Sequence, residues 1–153
     1  MSDELVYVPP VVPVFPLPRV VLFPHTIVAL HVFEPRYREM TADALSGDRI
    51  LALGLLKSGY EPLYYTHRAP IHPTLGVGRI VKHERVDDDN YNLLLRGISR
   101  AVIIEEDDRQ RPYRLARVEP LETYCVADEQ RVRSFREDIL KAIQSNPALD
   151  DSL

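Results

Sequence analysis

The chain has 153 residues, 45% hydrophobic and 27% charged, which fits one domain that buries its own core without a metal or disulfide staple. Nineteen basic against 23 acidic side chains give a net charge of −4, which disfavours a generally basic nucleic-acid binder. A single cysteine, Cys125, excludes an internal disulfide, and with no signal peptide it points to a reducing cytoplasm. No apolar run approaches about 18 residues, so no membrane span is predicted.

The first predicted element is apolar and proline-rich, from Pro9 to Pro18. Proline has no backbone N–H, so this stretch is not expected to form a continuous central strand. Extended edge pieces packed on the core fit better than a polyproline ligand, because Val14, Phe15 and Leu17 are too apolar to leave in water. Val20–Phe23 is a short apolar run stopped by Pro24, and Thr26–Phe33 is β-branched and apolar, a strand. Glu34-Pro35 opens a helix in which Tyr37, Met40, Ala44 and Leu45 recur at helical spacing, and Gly47 ends it. Arg36, Arg38, Glu39 and Asp43 fall on the other side as solvated charges.

Arg49–Leu56 reads as a buried strand, with Gly54 marking a bulge or a close backbone approach. Residues 57–73 form a long loop with three prolines and Tyr60, Tyr64 and Tyr65; loops of this length are often functional or flexible. Thr74–Val86 and Tyr91–Glu106 make a hairpin about the turn Asp87–Asn90. Gly76 and Gly78 allow a bend, and Gly97 a break. After a charged loop, Tyr113–Thr123 is another strand. Ala127–Gln144 is an amphipathic helix with Asp128 as N-cap, and Val132, Phe135, Ile139, Leu140 and Ile143 share one face. About six strands between Gly/Pro turns, with one inserted and one terminal helix, make a mainly β fold of barrel or sandwich type.

Chemical motifs are sparse. The chain has no phosphate loop, no dinucleotide fingerprint and no nucleophile elbow, so no catalytic residue and no cofactor is assigned. His67 and His72 lie five apart in the loop with no cysteine nearby, too little for a zinc site. His31 reads as a satisfied core or face histidine rather than a catalytic one, and Cys125 as a buried inert thiol rather than a nucleophile. Arg79, Arg85, Arg96, Arg100, Arg109, Arg111, Arg114 and Arg117 cluster, but acidic residues interleave with them, so an ion-paired surface is expected.

Val14–Pro24 resembles the opening of the Lon protease N-terminal (LON substrate-binding) domain. Leu30–Arg38 is similar to the stand-alone bacterial members, which lack the ATPase and protease. Gly76–Ile80, Asn92–Arg100 and Tyr113–Pro120 fit in the same order. The resemblance implies an α+β fold: a PUA-like pseudo-β-barrel over residues 1–125 with one inserted helix, then the first helix of a C-terminal helical part over 126–153. That helical part normally continues further, so the resemblance also implies truncation, with self-association through the apolar stripe. The family often has glycine where this chain has His25.

The resemblance further implies a non-enzymatic module that binds unfolded polypeptide or a protein partner. Apolar and aromatic side chains would act with backbone hydrogen bonds to an extended segment. Phe33, Tyr37, Tyr60, Tyr64 and Tyr65 are the candidate contacts, near the helix entry and the long loop. RNA binding through a PUA-like sheet is the alternative, supported by the arginine-rich strands and opposed by the net charge.

Overall fold

A computed structural model describes residues 7–107, 111–122 and 129–145. The elements run β1 (Val11–Leu17), β2 (Ile27–Val32), α1 (Pro35–Ser46), β3 (Ile50–Leu55), β4 (Thr74–Val86), β5 (Asn90–Asp107), β6 (Arg114–Leu121) and α2 (Glu129–Gln144). Short 3-10 turns lie at Glu61–Leu63 and Asp87–Asp89. The protein is therefore mostly β sheet with two helices. By internal contacts the chain divides into two compact units, Met1–Leu121 and Glu122–Leu153.

The sheet order is β2-β5-β4-β3-β1-β6, and a further β5–β6 pairing closes the last five strands into a ring rather than a clear barrel. The long β5 makes closure feasible. Its first half pairs with β2 (Arg96↔Ile27 to Tyr91↔Val32), and its second half pairs with β6 from Arg100↔Leu121 onward. β2 is thus appended to the ring, and among the described residues no strand pairs with its other edge.

The proline-rich β1 sits between two strands, against the expectation of edge pieces. Its first half pairs with β6 (Val11↔Arg117 to Val14↔Arg114) and its second half with β3 (Val14↔Ala52 to Leu17↔Leu55). Apart from Val14, which meets both neighbours, each half is therefore paired on one side only. Pro13 and Pro16 meet the rule that proline tolerates a single paired edge, although the strand as a whole is interior.

Two core clusters share β3. Leu51 and Leu53 join Phe15, Leu93, Leu95 and the α1 residues Tyr37, Met40 and Ala44. Ile50 and Ala52 join Val12, Val14, Leu75, Val77, Ala116 and Val118. A strand buried on both faces reads as a continuous apolar run, which is what Ile50–Leu55 shows. Gly54 answers to close approach: an added Cβ would stand 3.2 Å from Val14 Cγ1 and 3.3 Å from Ile71 and Leu75.

Residues 20–24 are not a strand but cross over glycines of β4 and β5. A Cβ on Gly76 would meet the Leu22 carbonyl oxygen at 2.4 Å, and one on Gly97 the Phe23 carbonyl oxygen at 2.0 Å. Gly97 does not break β5; the strand runs on through it, with a register shift opposite Val77/Gly78. The crossing is tied down where His25 N–H donates to Gly97 O (2.8 Å) and Gly97 N–H donates to Thr26 O (2.8 Å). His25 takes φ 68°, the left-handed conformation that glycine favours.

Along α2, Val132, Phe135, Ile139, Leu140 and Ile143 are exposed. Cys125, Asp128 and Arg109 lie outside the described residues.

Candidate functional site

The long loop is pinned rather than loose. Lys57 N–H donates to Pro70 O (2.8 Å) and His72 N–H to Leu55 O (2.9 Å). His67 Nε2 donates to Pro112 O at 3.1 Å. Arg114, 8% exposed, donates to Ala69 O and to Glu106 Oε1, each over 2.6 Å. These anchors fold the loop back over the start of α1.

That return brings Arg36 under the tyrosines. Its guanidinium carbon lies 4.6 Å from the Tyr37 ring centroid, 5.2 Å from Tyr64 and 5.7 Å from Tyr65. Arg36 Nη2 donates to Tyr64 O (3.0 Å) and to Glu34 Oε1 (3.3 Å), while Tyr64 O–H donates to Glu34 Oε2 (2.7 Å). Only 14% of the Arg36 side chain is exposed, so the solvated charge expected from the helical pattern is instead a cation ringed by aromatic faces. Nothing local in the sequence signals this, because the loop that covers Arg36 arrives from residues 60–65.

Tyr60, Tyr64 and Tyr65 are brought together. Tyr60 and Tyr64 ring centroids are 6.0 Å apart, and Tyr65 meets Tyr64 edge-on at 4.9 Å. With Pro18 and Glu61 they line a shallow groove of about 340 Å³. Tyr65 is 82% exposed, a large aromatic in water on a rigid support. Burial, and then the hydrogen bond to Glu34, push the Tyr64 hydroxyl up to about 12, which keeps it a neutral donor to Glu34.

The other two candidates lie elsewhere. Tyr37 is 2% exposed and stacks on Phe15 at 4.4 Å; it supports the groove from the core and offers a ligand no surface. Burial raises its hydroxyl above the usual tyrosine range. Phe33 projects from the end of β2, stacked on His31 at 5.9 Å. His31 in turn donates from Nδ1 to Asn92 Oδ1 at 2.8 Å, on the exposed face rather than in the core.

His31 lines a second concavity, a trough of about 360 Å³ formed by β2, β5 and β4. Ala29, Leu94, Lys82, Asn92 and Glu84 share in its walls. The arginine cluster is only partly ion-paired. Arg85, Arg111, Arg114 and Arg117 pair with Asp89, Asp43, Glu106 and Glu105, but Arg79, Arg96 and Arg100 have no acidic partner among the described residues. Among the described residues no group of three or more His, Cys, Asp or Glu is placed to hold a metal. No described helix is long and apolar enough to cross a membrane.

Residues 11–152 match the ATP-dependent protease La (LON) substrate-binding domain family. The chain belongs to that family. It is 26% identical over 134 residues to a Lon protease of Anaeromyxobacter dehalogenans, covering 88% of this chain and 16% of that one. It is 30% identical over 115 residues to a Lon protease of Dictyoglomus thermophilum, covering 75% and 14%. The chain thus spans about one sixth of the length of these relatives, and the matched family is that of the substrate-binding domain rather than of the protease domain.

Two solved structures share the fold. A Lon N-terminal domain protein from Xanthomonas campestris superposes with a TM-score of 0.64 at 22% identity, covering 85% of this chain and 73% of that one. The N-terminal domain of the Mycobacterium avium complex Lon protease gives a TM-score of 0.66 at 16% identity, covering 92% and 71%.

Proposed function

We propose that this LON domain is a non-enzymatic cytoplasmic module that binds unfolded polypeptide or a protein partner, and that Tyr60, Tyr64 and Tyr65 form a contact surface for it. The observation that carries the reading is the tyrosine groove. Three rings stand on a clamped Arg36–Glu34 base beside Pro18, and the outermost is almost fully in water. Aromatic side chains give much contact area for little conformational entropy, and a held loop does not have to be ordered on binding. Burying the exposed face of Tyr65 against an apolar side chain would contribute on the order of 1–2 kcal/mol. Phe33 would extend the contact along β2. Membership of a substrate-binding family and the names of its relatives support the choice of polypeptide as ligand.

The test is fluorescence anisotropy of a labelled, permanently unfolded polypeptide titrated with the protein. Saturable binding that survives moderate salt is expected. A Tyr60→Ser/Tyr65→Ser variant should weaken it roughly tenfold while unfolding at an unchanged urea concentration. Full-strength binding by that variant would move the site off the groove. Affinity for structured RNA that falls steeply with salt would favour the nucleic-acid alternative.

A further inference from the structure

β2 is paired on one side only, with β5, and no strand pairs with its other edge among the described residues. An unpaired edge presents a row of backbone donors and acceptors ready to take another strand. Natural edges are commonly blunted by proline or charge. β2 reads Ile-Val-Ala-Leu-His-Val and has neither. Its inward-facing Val28 and Leu30 pack on the core but are only partly covered.

The outer face beside this edge is positive. Arg96 stands opposite Ile27, and Arg79 stands directly opposite Arg96. Like charges directly opposite in a sheet repel. Lys82 follows on the same face, opposite Leu94. None of these three cations has an acidic partner among the described residues, and Glu84 is the one acid on the trough wall.

From this edge and this charge we infer that β2 accepts an extended polypeptide segment of alternating apolar and acidic residues as an added strand. The inference rests on the polypeptide-binding reading but not on the tyrosine groove. Side chains alternate across a strand. One set of the ligand's side chains would cover Val28 and Leu30, so it is apolar. The other set would lie on the outer face beside Ile27 and Ala29, toward Arg96 and Lys82, so it is acidic. Arg96 is two strand spacings, about 10 Å, from the added strand, within the combined reach of an arginine and a glutamate. An RNA strand fits less well. Beside His31 and Phe33 the edge offers no further ring for bases to stack on among the described residues, and the face carries Glu84 and exposed aliphatic Ile27.

The probe is a labelled, end-capped peptide of about eight residues alternating glutamate and valine. It is titrated into the isotope-labelled full chain and followed by anisotropy and by amide chemical shifts. Binding should move the amides of Ile27–Val32. Replacing glutamate by lysine, or Arg96→Glu in the protein, should each weaken it by roughly tenfold or more. N-methylation of alternate peptide nitrogens, on the register that faces β2, should abolish it. Arg96→Gln, with thermal unfolding as the check on folding, guards against a misfolded Arg96→Glu.

No binding by the glutamate–valine peptide, shifts confined to the tyrosine loop, or indifference to N-methylation would overturn the inference. So would oligouridine RNA shifting the β2 amides where the peptide does not. If the unfolded polypeptide binds at the tyrosines while β2 stays silent, only this inference fails. If neither ligand binds, the polypeptide-binding reading falls with it.

Discussion

Arg36 shows what one buried cation does for a surface loop. Its planar head lies within reach of three tyrosine rings and donates to both Glu34 and the Tyr64 carbonyl. A lysine would keep the charge and lose both the stacking plane and the fork. Arg36→Lys should therefore cost about 1–2 kcal/mol in urea unfolding. It should also speed amide exchange at residues 60–65. An unchanged exchange rate there would mean that the loop is held by its other anchors alone. Tyr64 and Tyr113 add a pH dependence. Burial first, and then hydrogen bonds to Glu34 and Asp43 respectively, push each hydroxyl from 10.0 up to about 12. Between those values an unfolded chain has lost these protons while the folded one keeps them. The folded state binds more protons, so stability falls as pH rises. The contribution is complete below about pH 10 and is lost as pH climbs through about 12. Urea midpoints measured across that window should drop less steeply for Tyr64→Phe/Tyr113→Phe than for the parent chain.

At the scale of elements, the crossing of residues 20–24 over β4 and β5 depends on Gly97. A methyl group there would stand 2.0 Å from the Phe23 carbonyl oxygen and 2.8 Å from its carbon, both backbone atoms that cannot swing aside. Gly97→Ala is expected to destabilise by about 3 kcal/mol or more. Gly59→Ala makes the control. It has φ +84° but open space around it, so it should cost only about 1 kcal/mol. A Gly97→Ala loss no larger than the control's in a denaturant titration would show that the Phe23 carbonyl yields and that the close approach does not set the Gly97 requirement. Much of this level was legible in the chain. Alternating apolar residues and Gly/Pro punctuation place β2 to β6 and both helices within a few residues of their observed ends. The pairing of β1 was not, because a proline's tolerance depends on which edge is used, and that is set by strands far away in sequence. The site divides the same way. Tyr60, Tyr64 and Tyr65 are close in sequence and stay together. Phe33 adjoins Glu34 in the chain, yet the strand's alternation sends it to the outer sheet face while Glu34 turns to Tyr64. Arg36 was hidden because its burial comes from a loop more than twenty residues away.

At the scale of the whole molecule, α2 carries five exposed apolar side chains on one helix. Phe135 and Ile139 are each more than half exposed, and Val132, Leu140 and Ile143 are close to half, along a single helix. A stripe of this kind buries itself when it finds a partner, at about 25 cal/mol per Å² of apolar area removed from water. The partner always present in a solution of this chain is a second copy. Self-association through α2 is the expected result, with a sedimentation coefficient that rises with protein concentration. Phe135→Glu/Ile139→Glu places two like charges in the middle of the stripe, and should return the chain to a concentration-independent monomer. Both residues lie in the unit Glu122–Leu153, whereas β2 and the tyrosine groove belong to the unit Met1–Leu121, so peptide binding should be unchanged in that variant. Loss of self-association together with loss of binding would mean that the ligand surface is completed by a second molecule.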